Sequence, residues 1–115
     1  MLPEDIYIMK KTITLDTLVN KHNIPYPDLI KIDCQSAELN ILKGATQCLK
    51  CCSYLIVELQ EIEYNRGGAL KLEVIDYLKS IGYMLFSENF SKNIDDSDSC
   101  FVNTLRTNYI LNSLN

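Results

Sequence analysis

Residues 28–45 join a short apolar strand, a polar turn and an amphipathic helix with no spare residue between them. Leu29, Ile30 and Ile32 form the strand, Asp33 to Ser36 the turn, and Leu39, Leu42 and Ala45 mark one helical face. A strand this short and this apolar fits burial in a parallel sheet. Open α/β sheets place their ligands in the crevice beyond the carboxyl ends of the strands, where the Asp33–Ser36 turn would lie. The segment therefore predicts an α/β fold with its polar chemistry on one rim.

The chain has 115 residues, enough for a single domain, residues 1–115, with its own core. Hydrophobic residues at 47% and charged residues at 23% are ordinary globular values and argue against a disordered chain. A net charge of −4 leaves no basic stripe for phosphates, so nucleic acid is not the expected partner. No apolar run approaches the ~20 residues of a membrane span. The opening Met1-Leu2-Pro3-Glu4-Asp5 lacks the pattern of a secretory signal, and a cytoplasmic location is the expectation.

Five cysteines are an odd number, and three crowd together as Cys48, Cys51 and Cys52. That layout suits reduced, structural thiols better than a disulfide framework. Cys48-Leu49-Lys50-Cys51 could be half of a zinc site. No second Cys-x-x-Cys follows and the one histidine is His22, so no metal site is assigned.

Along the chain, Ile6 to Leu15 is rich in β-branched residues and reads as a strand or a broken pair of strands. Asp16 is then expected to cap a short helix ending near His22-Asn23. For the helix after the first central strand, Ser36 is the expected N-cap, Glu38 an acid in the first turn, and Gly44 the terminator. Tyr54 to Leu59 predicts the second central strand, followed by a polar loop from Gln60 to Gly68. Leu70, Val74, Leu78 and Ile81 then mark a helix closed by Gly82. Tyr83–Phe86 and Cys100–Val102 read as two final strands around an acidic loop with Asp95, Asp96 and Asp98. The tail from Thr104 carries Leu105 and Tyr109 at helical spacing.

Leu29-Ile30-Lys31-Ile32-Asp33, then Ala37-Glu38-Leu39 and Leu42-Lys43-Gly44-Ala45, resembles the most recognisable stretch of FkbM-type methyltransferases, which use S-adenosylmethionine (SAM). Three more segments agree in order: Thr14-Leu15-Asp16-Thr17-Leu18, Leu55-Ile56-Val57-Glu58, and the helix end from Leu78 to Tyr83. The resemblance covers residues 12–103 and leaves 104–115 as a tail. It implies a partial Rossmann-like methyltransferase sheet, mostly parallel, with helices on its faces and a C-terminal antiparallel hairpin. Where the family has Val-Glu-Gly after the strand aspartate, this chain has Cys34-Gln35-Ser36. The resemblance also implies an earlier strand with a Gly-rich turn for the cofactor. The four glycines here contain no Gly-x-Gly, so the chain matches the carboxyl-terminal half of such a domain.

The resemblance implies O-methylation of a sugar or other small-metabolite hydroxyl. Asp33 and Gln35 are the candidate catalytic residues, and Asp33 and Glu58 the candidates for contacting SAM. The competing role for Asp33 is to cap the helix or accept turn amides, and for Glu58 to be a solvated strand-end carboxylate. The alternative function is a non-catalytic remnant or interaction module that pairs with another chain. Either way the strand Leu29 to Asp33 would lack a neighbour, so a homodimer or a partner chain is expected at the sheet edge.

Overall fold

The computed structural model describes residues 10–34, 37–60, 71–90 and 96–106. In chain order the elements are α1 (Leu15–Lys21), β1 (Leu29–Ile32), α2 (Glu38–Lys43), α3 (Thr46–Cys51), β2 (Tyr54–Gln60), α4 (Lys71–Ser80), β3 (Tyr83–Phe90) and β4 (Asp96–Asn103). The four strands form one sheet in the order β1-β2-β4-β3. β1 and β2 are parallel, whereas β4 lies antiparallel to β2 on one side and to β3 on the other.

The sheet is thus mixed, which corrects the expectation of mostly parallel strands. β3 does run in the same direction as β1 and β2, but the last strand inserts between β2 and β3 and converts two of the three pairings to antiparallel. The expected C-terminal hairpin is present as β3–β4, with a bulge between Leu85 and Ser87. Both strands are longer than their apolar stretches suggest, and Asp96 and Asp98 belong to β4 instead of a loop.

Strand alternation separates two faces. Leu55, Val57 and Leu59 of β2, Ile32 of β1 and Phe101 of β4 are buried with Val19, Leu42, Leu49, Val74 and Leu78 of the helices. The opposite face carries Leu29, Tyr54 and Met84, all more than half exposed. Among the described residues the helices cover one face, not both as expected. α4 forms as its apolar spacing predicts, with Val74 and Leu78 buried, and ends at Gly82 in the left-handed region at φ 99°. A side chain is costly there, so glycine terminates the helix.

The amino-terminal reading needs correction. Residues 10–14 have no regular structure, Leu15 already begins α1, and residues 6–9 lie outside the described residues. Thr14 is the N-cap: its hydroxyl accepts the Thr17 amide at 3.1 Å. Asp16 does not cap its own helix. Its carboxylate accepts the amides of Gln47 at 2.8 Å and Cys48 at 3.0 Å, the first turn of α3. Burial pushes the Asp16 pKa up, but these amides outweigh it and leave the carboxyl below its ordinary value.

The other end of α3 is held as firmly. Tyr83 donates its hydroxyl to the carbonyls of Leu49 and Cys52, at 2.8 and 3.2 Å, and the Asn103 amide donates to the same two, at 3.1 and 2.9 Å. A six-residue helix is too short to persist on its own. α3 stands because side chains from α1, β3 and β4 satisfy the backbone groups its ends leave open.

Candidate functional site

The parallel register pairs Leu29 with Tyr54 and Ile32 with Val57. The residue that follows each of these last partners is a candidate acid, Asp33 just past β1 and Glu58 within β2, so both lie at the carboxyl end of the parallel pair. Asp33 is exposed and follows β1 immediately. Glu58 lies within β2, half-buried, between Val57 and Leu59 whose side chains enter the core. It therefore belongs to the face away from the helices, where its register partner on β4 is Asp98.

Among the described residues no side chain caps α2: its N-cap is Ala37, and the turn before it is closed by the Ala37 amide donating to the Cys34 carbonyl at 2.9 Å. The expected N-cap Ser36 and the candidate Gln35 lie outside the described residues, as does Asp95. Glu38 occupies the first turn of α2 as expected, and it is buried there, 1% exposed.

A Cβ on Gly44 would sit 2.9 Å from Thr14 Cγ2, so its bare backbone admits the N-cap of α1. Gly44 also ends α2 at φ −87°, without the left-handed conformation expected of a terminator. Gly82 faces Leu105. Neither described glycine is open to a ligand. Gly67 and Gly68 lie outside the described residues.

The cysteines are structural where they are buried. Cys48 and Cys52 are fully enclosed; Cys52 Sγ donates to the Tyr54 carbonyl at 2.9 Å and the Asp28 carbonyl at 3.3 Å. Burial, aided by the hydrogen bond to Asp16, pushes the Cys48 thiol up to about 11, which removes its thiolate at neutral pH. All five cysteines are free, and Cys34 beside Asp33 is exposed. Among the described residues no three His, Cys, Asp or Glu side chains converge as a metal site, and no helix is long and apolar enough to cross a membrane.

Sequence reasoning did not find Asp98 as the acid opposite Glu58. The signal was the register: Tyr54 opposite Val102 and Leu55 opposite Phe101 place Glu58 opposite Asp98 once β4 is extended toward its amino end.

The chain is 41% identical over 49 residues to the hexuronic acid methyltransferase AglP of Haloferax volcanii, a match covering 43% of this chain and 20% of that protein. That relative is about twice as long as this chain. No solved structure matches. Residues 3–85 match the methyltransferase FkbM domain, and with most of its length inside that match the chain belongs to the FkbM methyltransferase family.

Proposed function

We propose that this chain forms the acceptor-side half of a SAM-dependent O-methyltransferase whose substrate is a hydroxyl of a sugar of the hexuronic acid class. The observation that supports this most is the place of Asp33: an exposed carboxylate just past the carboxyl end of a parallel strand, on the same rim as Glu58. The substrate class comes from the matched relative, which is a hexuronic acid methyltransferase. The Rossmann-like character of the complete sheet belongs to the same proposal.

The described residues do not fit SAM by themselves. Gly44 is filled by Thr14, Gly82 is turned toward Leu105, and the chain has no Gly-x-Gly. What the chain supplies is the acceptor side. Methyl transfer to oxygen depends mainly on alignment of the nucleophile, which can be worth roughly 7–11 kcal/mol. Asp33 accepts a hydrogen bond from the acceptor hydroxyl, turns its lone pair toward the rim and is the group placed to take its proton. Gln35, two residues on, adds a neutral hydrogen-bonding group where the family carries a carboxylate. Glu58 lines the same rim from β2 and is the candidate for contacting the donor.

The test is methyl transfer from labelled SAM to a hexuronic acid glycoside, using complex purified from native cells through a tag on this chain. Asp33→Asn should lower kcat by about 10²–10⁴, the usual loss for a positioned base, while Lys79→Ala on the far helical side leaves it unchanged. Transfer at the full rate by Asp33→Asn would overturn the assignment, and failure of every uronic acid acceptor would overturn the substrate class.

A further inference from the structure

A hexuronic acid presents a carboxylate besides its hydroxyls, and the rim of the sheet carries carboxylates of its own: Asp33, Glu58 and, opposite Glu58 in the register, Asp98. Like charges brought together repel, so acids alone would turn such an acceptor away. A cation is needed within reach of Asp33.

β1 supplies one. The four strands together contain a single cationic residue, Lys31, two positions before Asp33. Ile30 packs against the core and Ile32 is buried in it, so strand alternation sends Lys31 to the opposite face, the face to which Glu58 also belongs. In the register Lys31 pairs with Ile56, two residues before Glu58 on the neighbouring strand. Two positions along a strand are about 6.6 Å, a distance the long lysine stem can span to carry its ammonium toward the rim. Lys43, Lys50 and Lys79 occupy the last turns of α2, α3 and α4, at the end of the sheet where β2 and β3 begin. Lys71 opens α4 on the helical side, and Arg106 donates to Ser53 Oγ at 3.2 Å, just before β2 starts.

We infer that Lys31 is a specificity-determining residue of the proposed site: its ammonium binds the carboxylate of the hexuronic acid acceptor, while Asp33, two positions on, accepts the hydrogen bond of the hydroxyl to be methylated. The inference rests on the hexuronic acid reading above. A lysine is a point charge on a flexible stem, so it selects the charged acceptor without taking part in the transfer itself. A neutral hexose offers it no counter-charge and should bind more weakly.

The test measures binding of the methyl glycosides of glucuronic and galacturonic acid, each against its neutral C6 amide, to the complex purified through a tag on this chain. Wild type should bind at least one of the acids about tenfold more tightly than its amide. Lys31→Gln should abolish that preference, and Lys31→Arg, which keeps the charge, should retain most of it. In methyl transfer Lys31→Gln should raise KM for the acid about tenfold and leave kcat within about threefold of wild type. Lys31→Met, which keeps the apolar stem, replaces Lys31→Gln if the latter unfolds at lower urea than wild type. A preference that survives loss of the charge, a wild type that binds amide as well as acid, or a wild type that binds neither would overturn the assignment. Methyl transfer is scored separately: acid-selective binding through Lys31 without transfer counts against the methyltransferase reading and leaves Lys31 in its role, whereas transfer to the acid with selectivity unchanged in Lys31→Gln does the reverse.

Discussion

Asp16 and Gln47 are 31 positions apart in the chain and meet at 2.8 Å, the carboxylate of one helix accepting the first-turn amide of another. The Cys48 amide joins them at 3.0 Å. This contact ties α1 to α3 and, through the core residues Cys48 and Leu49, to the helical side of the sheet.

Asp16→Ala should destabilise the fold by about 1–2 kcal/mol, the cost of a lost helix cap. The pH dependence follows from the direction of the shift. The folded pKa lies below the unfolded value near 3.8, so the unfolded state binds the proton more readily. The stabilisation is complete well above that value and is lost as the pH falls through the folded pKa. The gap in urea midpoint between wild type and Asp16→Asn should be full at pH 7 and should narrow as the pH falls below 3.8; a gap that does not depend on pH would refute the assignment.

Gly44→Ala should cost about 1–3 kcal/mol, because the new methyl meets Thr14 Cγ2 at 2.9 Å and Cβ at 3.0 Å. Thr14→Ser keeps the capping hydroxyl and deletes Cγ2, so the double variant should recover part of the loss. Strict additivity of the two substitutions in thermal unfolding would show that the clash lies elsewhere.

Leu42→Ala should destabilise by about 2–5 kcal/mol, since Leu42 is completely buried on the core side of α2. Its neighbour Lys43 is exposed and lies 6.0 Å from the Tyr77 ring centroid, so Lys43→Ala should cost under about 1 kcal/mol. Equal urea midpoints for the two variants would mean that the helical face is assigned wrongly.

The chain alone should bind SAM no more tightly than about millimolar, a standard free energy of about −4 kcal/mol. Among the described residues the rim offers carboxylates but no backbone cradle, as Gly44 and Gly82 are both committed to packing. Isothermal calorimetry on the isolated 115-residue chain checks this, and a micromolar dissociation constant would contradict it.

What could be read from the sequence was whatever rests on local pattern. β2 carries an unbroken apolar run, and α4 has a regular apolar spacing closed by a glycine, so both were found nearly to the residue. α3 was missed because Thr46 to Cys51 is short and Cys-rich and owes its helix to Asp16, Tyr83 and Asn103, which lie far away in sequence. Of the strand or pair of strands expected over Ile6 to Leu15, the described part does not form, because Thr14 spends its β-branched, extended conformation on capping α1. β3 and β4 were read too short since their outer portions include Ser87, Glu58's partner Asp98 and other polar residues that no apolar pattern marks. The position of Asp33 was legible because a strand end is a local feature. That Ala37 and not Ser36 is the N-cap of α2 was not, because the cap depends on how the turn before it closes.

The central place of β4 also dictates when the sheet can exist during synthesis. β2 and β3 acquire their common neighbour only once the chain has been made as far as Asn103. Until then β2 has β1 alone and β3 has no strand to pair with. A chain stopped a few residues short of Asn103 would lose more than a terminal strand. It would also lose the carboxamide that closes α3, so early termination should yield aggregation-prone species with two unpaired edges instead of a slightly smaller domain.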